Sequence, residues 1–290
     1  ILVSEALFSD QEFFPIVKQF GATISAQAAN MFDVARGENS LKQFYNVKTL
    51  ESFGPLTGAE LAACGSLIGY INTTQKETLP RLGVPKRFEP SHFMAIDAAT
   101  RRNLELHETL QGEYRGSLLS VIDRTLTAGG ARLLGRFVAL PLVDPSAINV
   151  RLDRVGFFVD HPTLCEQIRN VCGQIPDIER AVSRLCFGKG GPRDVLAIRV
   201  GLTQSLAILE LVNKSGIIDI PPSINNMLKN INGFESLLEV LDQLADEVPL
   251  LARDGGFIKS GYNKRLDELR QLRDHGKERI NALKEQYRQQ

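Results

Sequence analysis

Apolar residues along most of this chain recur three and four positions apart, the period of an amphipathic helix. Over Gly130–Leu140, Leu133, Leu134, Phe137 and Leu140 share one face, which the spacing predicts to be buried. Pro145–Val159 places Ile148, Leu152, Val155 and Val159 on a face behind Asp144, an N-cap residue type. Helices are predicted next over Pro162–Cys172 and Asp177–Phe187. Asp194–Asn213 follows, with Val195, Ile198, Leu202, Leu206 and Leu209 on a stripe wide enough to be covered on more than one side. Ile217–Ile231 reads as a loop and a short helix, and Phe234–Ala245 as an amphipathic helix. Tyr262–Gln290 carries no Pro and is predicted to be one uninterrupted helix of roughly 40 Å.

The N-terminal part is patterned differently. Ile1-Leu2-Val3 and Ala22–Gln27 read as short strands. Ser9-Asp10-Gln11-Glu12 is a capping box opening a helix towards Phe20, with Pro15 inside it. Asp33 caps a helix through Tyr45, and Thr57-Gly58-Ala59-Glu60 is a second capping box, starting Gly58–Gln75. Gly65 and Gly69 are spaced for close packing of that helix on a neighbour. Pro80, Pro85 and Pro90 then mark a linker. Between it and Gly130, Ile96–Leu142 opens with short helical pieces punctuated by glycine and closes at Pro141.

Composition changes this picture little. The 34 basic and 34 acidic residues cancel, so no net field draws the whole molecule to nucleic acid or membrane. Lys259–Gln290 differs, with nine Lys and Arg against five Asp and Glu; a solvated helix face accounts for that excess, and so does weak attraction to phosphate. Cys64, Cys165, Cys172 and Cys186 form no C-x-x-C pair and no short ligand spacing with His92, His107, His161 or His275, so the cysteines read as small apolar residues of a reducing cytoplasm. Neither Leu61–Ile71 nor Val195–Val212 reaches a membrane span, the latter carrying Arg199, Gln204 and Glu210. Glu5, Asp10, Glu12 and Asp33 show no convergence of the kind metal-dependent hydrolysis needs. The loop Gly188-Lys189-Gly190-Gly191-Pro192-Arg193-Asp194 is rich in glycine, but Lys189 precedes Gly190 and Pro192 removes a donor, so it reads as a turn capped by Asp194 rather than a phosphate loop. No catalytic, cofactor-binding or metal residue is assigned.

As strings, several stretches resemble the MutS family of DNA mismatch-recognition ATPases. D-A-A-T-R-R-N-L-E-L from Asp97, T-x-x-G-x-R-L-L-x-R-F-x-x-x-P-L from Thr127 and G-G-x-I-x-x-G-Y from Gly255 resemble its helical core, as does Pro192-Arg193-Asp194 before a long helix. Phe53-Gly54, Leu61-Ala62-Ala63-Cys64-Gly65 and Thr74-Gln75 resemble its connector domain. The resemblance implies an α+β chain: a partial ribonuclease-H-like α/β connector (1–90), a mostly α-helical core (91–258) and a protruding lever helix (259–290) leading towards a DNA clamp. It implies a parent protein that is a DNA-dependent ATPase using ATP and Mg, a homodimer acting on mismatched duplex DNA, with repair partners met through the connector and no membrane. The non-Met start at Ile1 and the end within a helical pattern at Arg288-Gln289-Gln290 give the expectation of an internal fragment, whose own role is structural and signal-coupling. A stand-alone helical scaffold for protein interactions would show the same periodicity.

Overall fold

A computed structural model describes residues 1–18, 23–74 and 82–288 of the chain. It is mostly helical with one small sheet, and it divides into two compact units, one of Ile1–Pro90 with Cys186–Gly188 and one of Ser91–Leu185 with Lys189–Gln290. The expected helix end at Phe20, strand start at Ala22, helix end at Gln75 and the linker residue Pro80 lie outside the described residues.

In the first unit β1 (Leu2–Ser4) pairs in parallel with β2 (Ser25–Gln27), with Leu2 opposite Ser25 and Val3 opposite Ala26. The capping box expected at Ser9 is displaced. Ser9 ends a short helix, α1 (Glu5–Phe8), and Asp10 is the acceptor for the next one, taking the backbone N–H of Glu12 and of Phe13 at 2.8 Å each. That helix, α2 (Phe13–Lys18), therefore holds Pro15 in its first turn, where a missing donor breaks no intrahelical bond.

Two longer helices carry this unit's core. α3 (Val34–Tyr45) starts on Asp33, whose carboxylate accepts from Arg36 N–H at 2.7 Å, and ends on Asn46 in left-handed backbone. α4 (Gly58–Thr74) starts on the reciprocal Thr57–Glu60 box, with Thr57 N–H donating to Glu60 at 2.7 Å and Glu60 N–H to Thr57 Oγ1 at 3.3 Å. The two cross with their backbones nearly touching: a Cβ on Gly65 would stand 2.2 Å from Gly37 Cα, and one on Gly37 2.2 Å from the Leu61 carbonyl oxygen. Only glycine permits that approach. Around it Leu41, Ala62, Ser66 and Ile68 are buried. The segment after α4 is tied back where Tyr45 donates its hydroxyl to the Gly83 carbonyl at 2.8 Å and Arg87 pairs with Glu60 at 3.2 Å.

The second unit opens with α5 (Ala98–Asn103), α6 (Leu118–Ile122) and α7 (Ala128–Ala139), each begun by a side-chain cap, Asp97, Ser117 and Thr127 respectively. A bridge between Phe93 and Leu142 closes this stretch on itself. α8 (Pro145–Asp160), α9 (Pro162–Cys172), α11 (Pro192–Lys214) and α12 (Pro222–Asn230) meet in a core of Phe157, Leu164, Val212 and Ile224. Between α9 and α11 lies α10 (Ile178–Cys186).

One residue of the face expected to be buried on α7 is open: Leu133 is 50% exposed, while Leu134, Phe137 and Leu140 are half-buried. On α8 the periodic stripe Leu152, Val155 and Val159 is exposed, while Phe157, on another side, enters the core. Periodicity marks an apolar face, but the helices actually packed against α8 select the face that carries the phenylalanines.

α11 also departs from expectation, since by length and composition alone it is apolar enough to cross a membrane, a test that an apolar core helix passes as well. Its charged residues sit mostly towards its two ends, Arg193 and Asp194 at one and Glu210 and Lys214 at the other, with Arg199 between them. Here it is the helix on which the second unit is assembled. Arg199, near its middle, donates to the Leu244 carbonyl at 2.8 Å and pairs with Asp246 at 3.1 Å.

Candidate functional site: the root of the terminal arm

Among the described residues, no three His, Cys, Asp or Glu side chains gather as metal ligands. The carboxylates weighed for hydrolysis are separated by their structural work, Asp10 capping α2 and Asp33 capping α3. All four cysteines are free and partly buried, and burial pushes the Cys64 and Cys172 thiols above their ordinary range. In the glycine-rich loop Asp194 is not the cap itself. Gly191 holds that position, and Asp194 reaches back from inside α11 to accept its N–H at 2.8 Å, while Arg184 pairs with the same carboxylate at 3.3 Å. A carboxylate in that position occupies the donors that a phosphate would need.

The most organised polar arrangement lies where the terminal helices leave the core. α13 (Glu235–Leu241) stops earlier than the periodicity of Phe234–Ala245 predicts, because Leu244 forms a bridge with Ile258. Ala245 N–H donates to the Phe257 carbonyl at 2.9 Å, and Lys259 N–H to that of Gln243 at 2.7 Å. The chain then turns through Gly261, whose φ of 91° suits glycine. Asn263 caps α14 (Lys264–Asp274) by accepting Leu266 N–H at 3.0 Å. One turn on, Asp267 accepts Gly261 N–H at 2.7 Å, and Arg270 binds both Asp267 at 3.3 Å and the Ile258 carbonyl at 2.7 Å. Arg270 thus fastens the first turns of α14 to the bridge below. Of the two leucines in these turns, Leu266 is half-buried and Leu269 is 48% exposed, so the polar contacts of Arg270 do more of the fastening than an apolar pair does. Beside this root lies a mostly apolar cavity of about 360 Å³, lined among others by Pro192, Val195, Leu241, Phe257 and Tyr262.

The single helix expected over Tyr262–Gln290 is two. α14 ends at Asp274 with His275 as its cap, and α15 (Gly276–Arg288) begins at once. A Cβ on Gly276 would meet nothing within 4 Å, so packing does not demand glycine there; the break follows from the low helix propensity of glycine. Along both helices the acids are committed to local partners: Glu268 to Arg265, Asp267 to Arg270, Asp274 to Arg273, Glu278 to His275 and Glu285 to Arg288. The side chains of Leu283 and Tyr287, two of the large apolar residues of α15, lie outside those described.

The family models agree with this division of the chain. MutS domain II matches residues 1–83, and MutS domain III matches residues 99–288, well over half of the sequence. The chain belongs to the MutS family. Similar proteins are the DNA mismatch repair proteins MutS of Ruegeria pomeroyi, 44% identical over 99% of this chain and 32% of that protein, and of Roseobacter denitrificans, 42% identical over 96% of this chain and 32% of that protein. That of Rhizobium meliloti is 40% identical over 99% of this chain and 31% of that protein. The chain thus spans about a third of the length of these curated relatives, and the stretch it spans is the MutS domain II and domain III portion.

Proposed function

We propose that this chain is the structural and signal-coupling middle of a cytoplasmic DNA mismatch repair protein, linking an ATPase elsewhere in the parent protein to the parts that grip and read DNA. Residues 1–90 serve as part of a connector of ribonuclease-H-like descent, 91–258 as the helical core and 259–290 as the lever. Parallel pairing of β1 with β2 beside helices supports the connector reading, and the matched relatives, named as mismatch repair proteins, support the activity. In this reading the parent is a homodimer that uses ATP and Mg, acts on mismatched duplex DNA and meets other repair proteins through the connector. The chain itself performs no catalysis.

The observation that carries the coupling role is the double anchorage of α14, through Asp267 to Gly261 and through Arg270 to Ile258. A helix held at two points near its base turns with the core, so a change at the core is carried outward along the arm. Coupling of this kind is an energetic statement and needs an energetic test. In the parent protein, Arg270→Met should leave nucleotide affinity unchanged while weakening ATP-driven release from a mismatched duplex, followed by fluorescence anisotropy. Release at the wild-type rate would overturn the coupling role of this root. Calorimetry on the 290-residue chain should show no ATP binding that depends on the adenine base, ATP binding no more tightly than inorganic triphosphate.

A further inference from the structure

One pocket in the second unit is lined by residues that the root of the arm does not use. It measures about 410 Å³ and is lined by Phe137 at the end of α7, by Leu142, and by Ser146, Ala147, Val150, Arg151 and Arg154 on α8. The Arg151 guanidinium lies 3.6 Å above the centre of the Phe137 ring, so its plane is held in place. One turn further along α8, Arg154 has an Nε–H shut off from solvent with no hydrogen-bond partner among the described residues. Among the described residues neither arginine forms an ion pair, in contrast to Arg132, Arg199 and Arg270 of the same unit, each of which holds a carboxylate. No carboxylate lines the pocket. Asp153, next to Arg154 in sequence, is exposed and does not line the pocket, and Asp144, at the start of α8, already accepts the N–H groups of Ser146 and Ala147 and the Ser146 hydroxyl as a helix cap.

Arg154 Nε is closed to a ligand as it is to water, but the terminal nitrogens of both guanidinium groups are open to the pocket side of α8 and can give charge-assisted bonds to an oxyanion with two or more free oxygens. Two guanidinium groups lining one pocket, one of them held over an aromatic ring, suit a doubly charged anion better than a single carboxylate. We propose that the Phe137–Arg151–Arg154 pocket binds a phosphate group. Phosphate presents that chemistry whether it is the free ion or part of a nucleic-acid backbone, and arginine forks match its geometry.

The test titrates inorganic phosphate into the intact 290-residue chain at constant ionic strength, following the arginine Nε–H signals by NMR and the affinity by calorimetry. The expected result is saturable binding that shifts the Arg151 and Arg154 signals. Arg154→Met should weaken it by about tenfold or more, as loss of one charge-assisted bond implies. Arg154→Lys, which keeps the charge and the helix but loses the fork, should recover only part, and Lys229→Ala, at an exposed position on α12, should change nothing. Circular dichroism verifies that each variant is folded. A duplex oligonucleotide that competes with phosphate at this pocket assigns the ligand to a backbone phosphate, and one that does not assigns it to the free ion. Acetate binding as tightly as phosphate would overturn the proposal by making the pocket a carboxylate site. So would phosphate binding that is unsaturable or equally tight in Arg154→Met.

Discussion

Arg132 and Asp177, 45 residues apart in sequence, face each other as two parallel hydrogen bonds: Nη1 to Oδ2 at 3.0 Å and Nη2 to Oδ1 at 2.8 Å. The same guanidinium also takes Glu179, through Nε at 3.0 Å and Nη2 at 2.6 Å. Thus α7 is clipped to the start of α10 by a planar fork, a geometry that lysine cannot reproduce. The Arg132 hydrogen bonds are the main cause of the low Asp177 pKa, about 2, and the Asp177 and Glu179 bonds in turn hold the Arg132 pKa above its ordinary value.

The consequence is a pH dependence. The Asp177 carboxyl is depressed in the folded chain, so its stabilising contribution is full above the unfolded value of about 3.9. It is lost as pH falls from there through about 2. Arg132→Ala should therefore lower the melting temperature at neutral pH, and Arg132→Lys should recover only part. The gap between wild type and Arg132→Ala should close on acidification between those two values. A gap that stays constant down to pH 2 would remove the clip from the account.

Core substitutions should follow the observed faces rather than the periodicity. Phe157 is 5% exposed and packs with Leu164, Val212 and Ile224. Phe157→Ala should cost roughly 3–5 kcal/mol in urea unfolding. Leu133→Ala, at a position half open to solvent, should cost less than about 1 kcal/mol. The reverse order would mean that α7 packs through Leu133 after all.

What the sequence made legible was local. The caps at Asp33 and Asp144 and the Thr57–Glu60 box stand where their residue types put them, because each satisfies N–H groups two or three residues away. The small-residue spacing around Gly65 foretold a close crossing for the same reason: only one side-chain size fits. Non-local choices were not legible. Whether α8 buries Phe157 or Val155 depends on which helices lie against it, and the fork from Arg132 to Asp177 joins segments that no spacing rule relates. The arm root was partly readable. Its glycine turn was visible in the string, but the anchoring through Arg270 instead of Leu269 needed the bridge at Ile258 to be in place.

The crossing in the first unit makes a sharper demand. Gly65→Ala would drive a methyl group to 2.2 Å from Gly37 Cα, a backbone atom that no rotamer change can move aside. The helices must separate, and the buried positions Leu41 and Ile68 lose contacts with them. We expect a loss of about 3 kcal/mol or more. Gly58→Ala, whose new methyl would meet only Val34 side-chain carbons at 3.5 Å or beyond, serves as the tolerated comparison. Urea unfolding of the two variants, followed by far-UV circular dichroism, separates them; equal midpoints would show that α3 and α4 do not cross at these glycines.

The break at His275 divides the arm into halves held by different means. α14 is fastened through Asn263, Asp267 and Arg270, whereas among the described side chains the first turns of α15 show the exposed His275–Glu278 contact at 3.1 Å, and Ile280 is 54% exposed. A helix without a packed face rests on propensity alone, which is marginal at this length. Backbone amides of α15 should therefore exchange with solvent much faster than those of Leu266–Leu272. Gly276→Ala should narrow the difference, because alanine favours the helix by about 1 kcal/mol over glycine and finds open space at this position. Hydrogen exchange read by mass spectrometry on both proteins decides the matter, with circular dichroism reporting any gain in helix. Uniform protection from Leu266 to Arg288 in a monomeric wild-type sample would contradict the division. An unchanged pattern in Gly276→Ala would mean that something other than this glycine interrupts the arm.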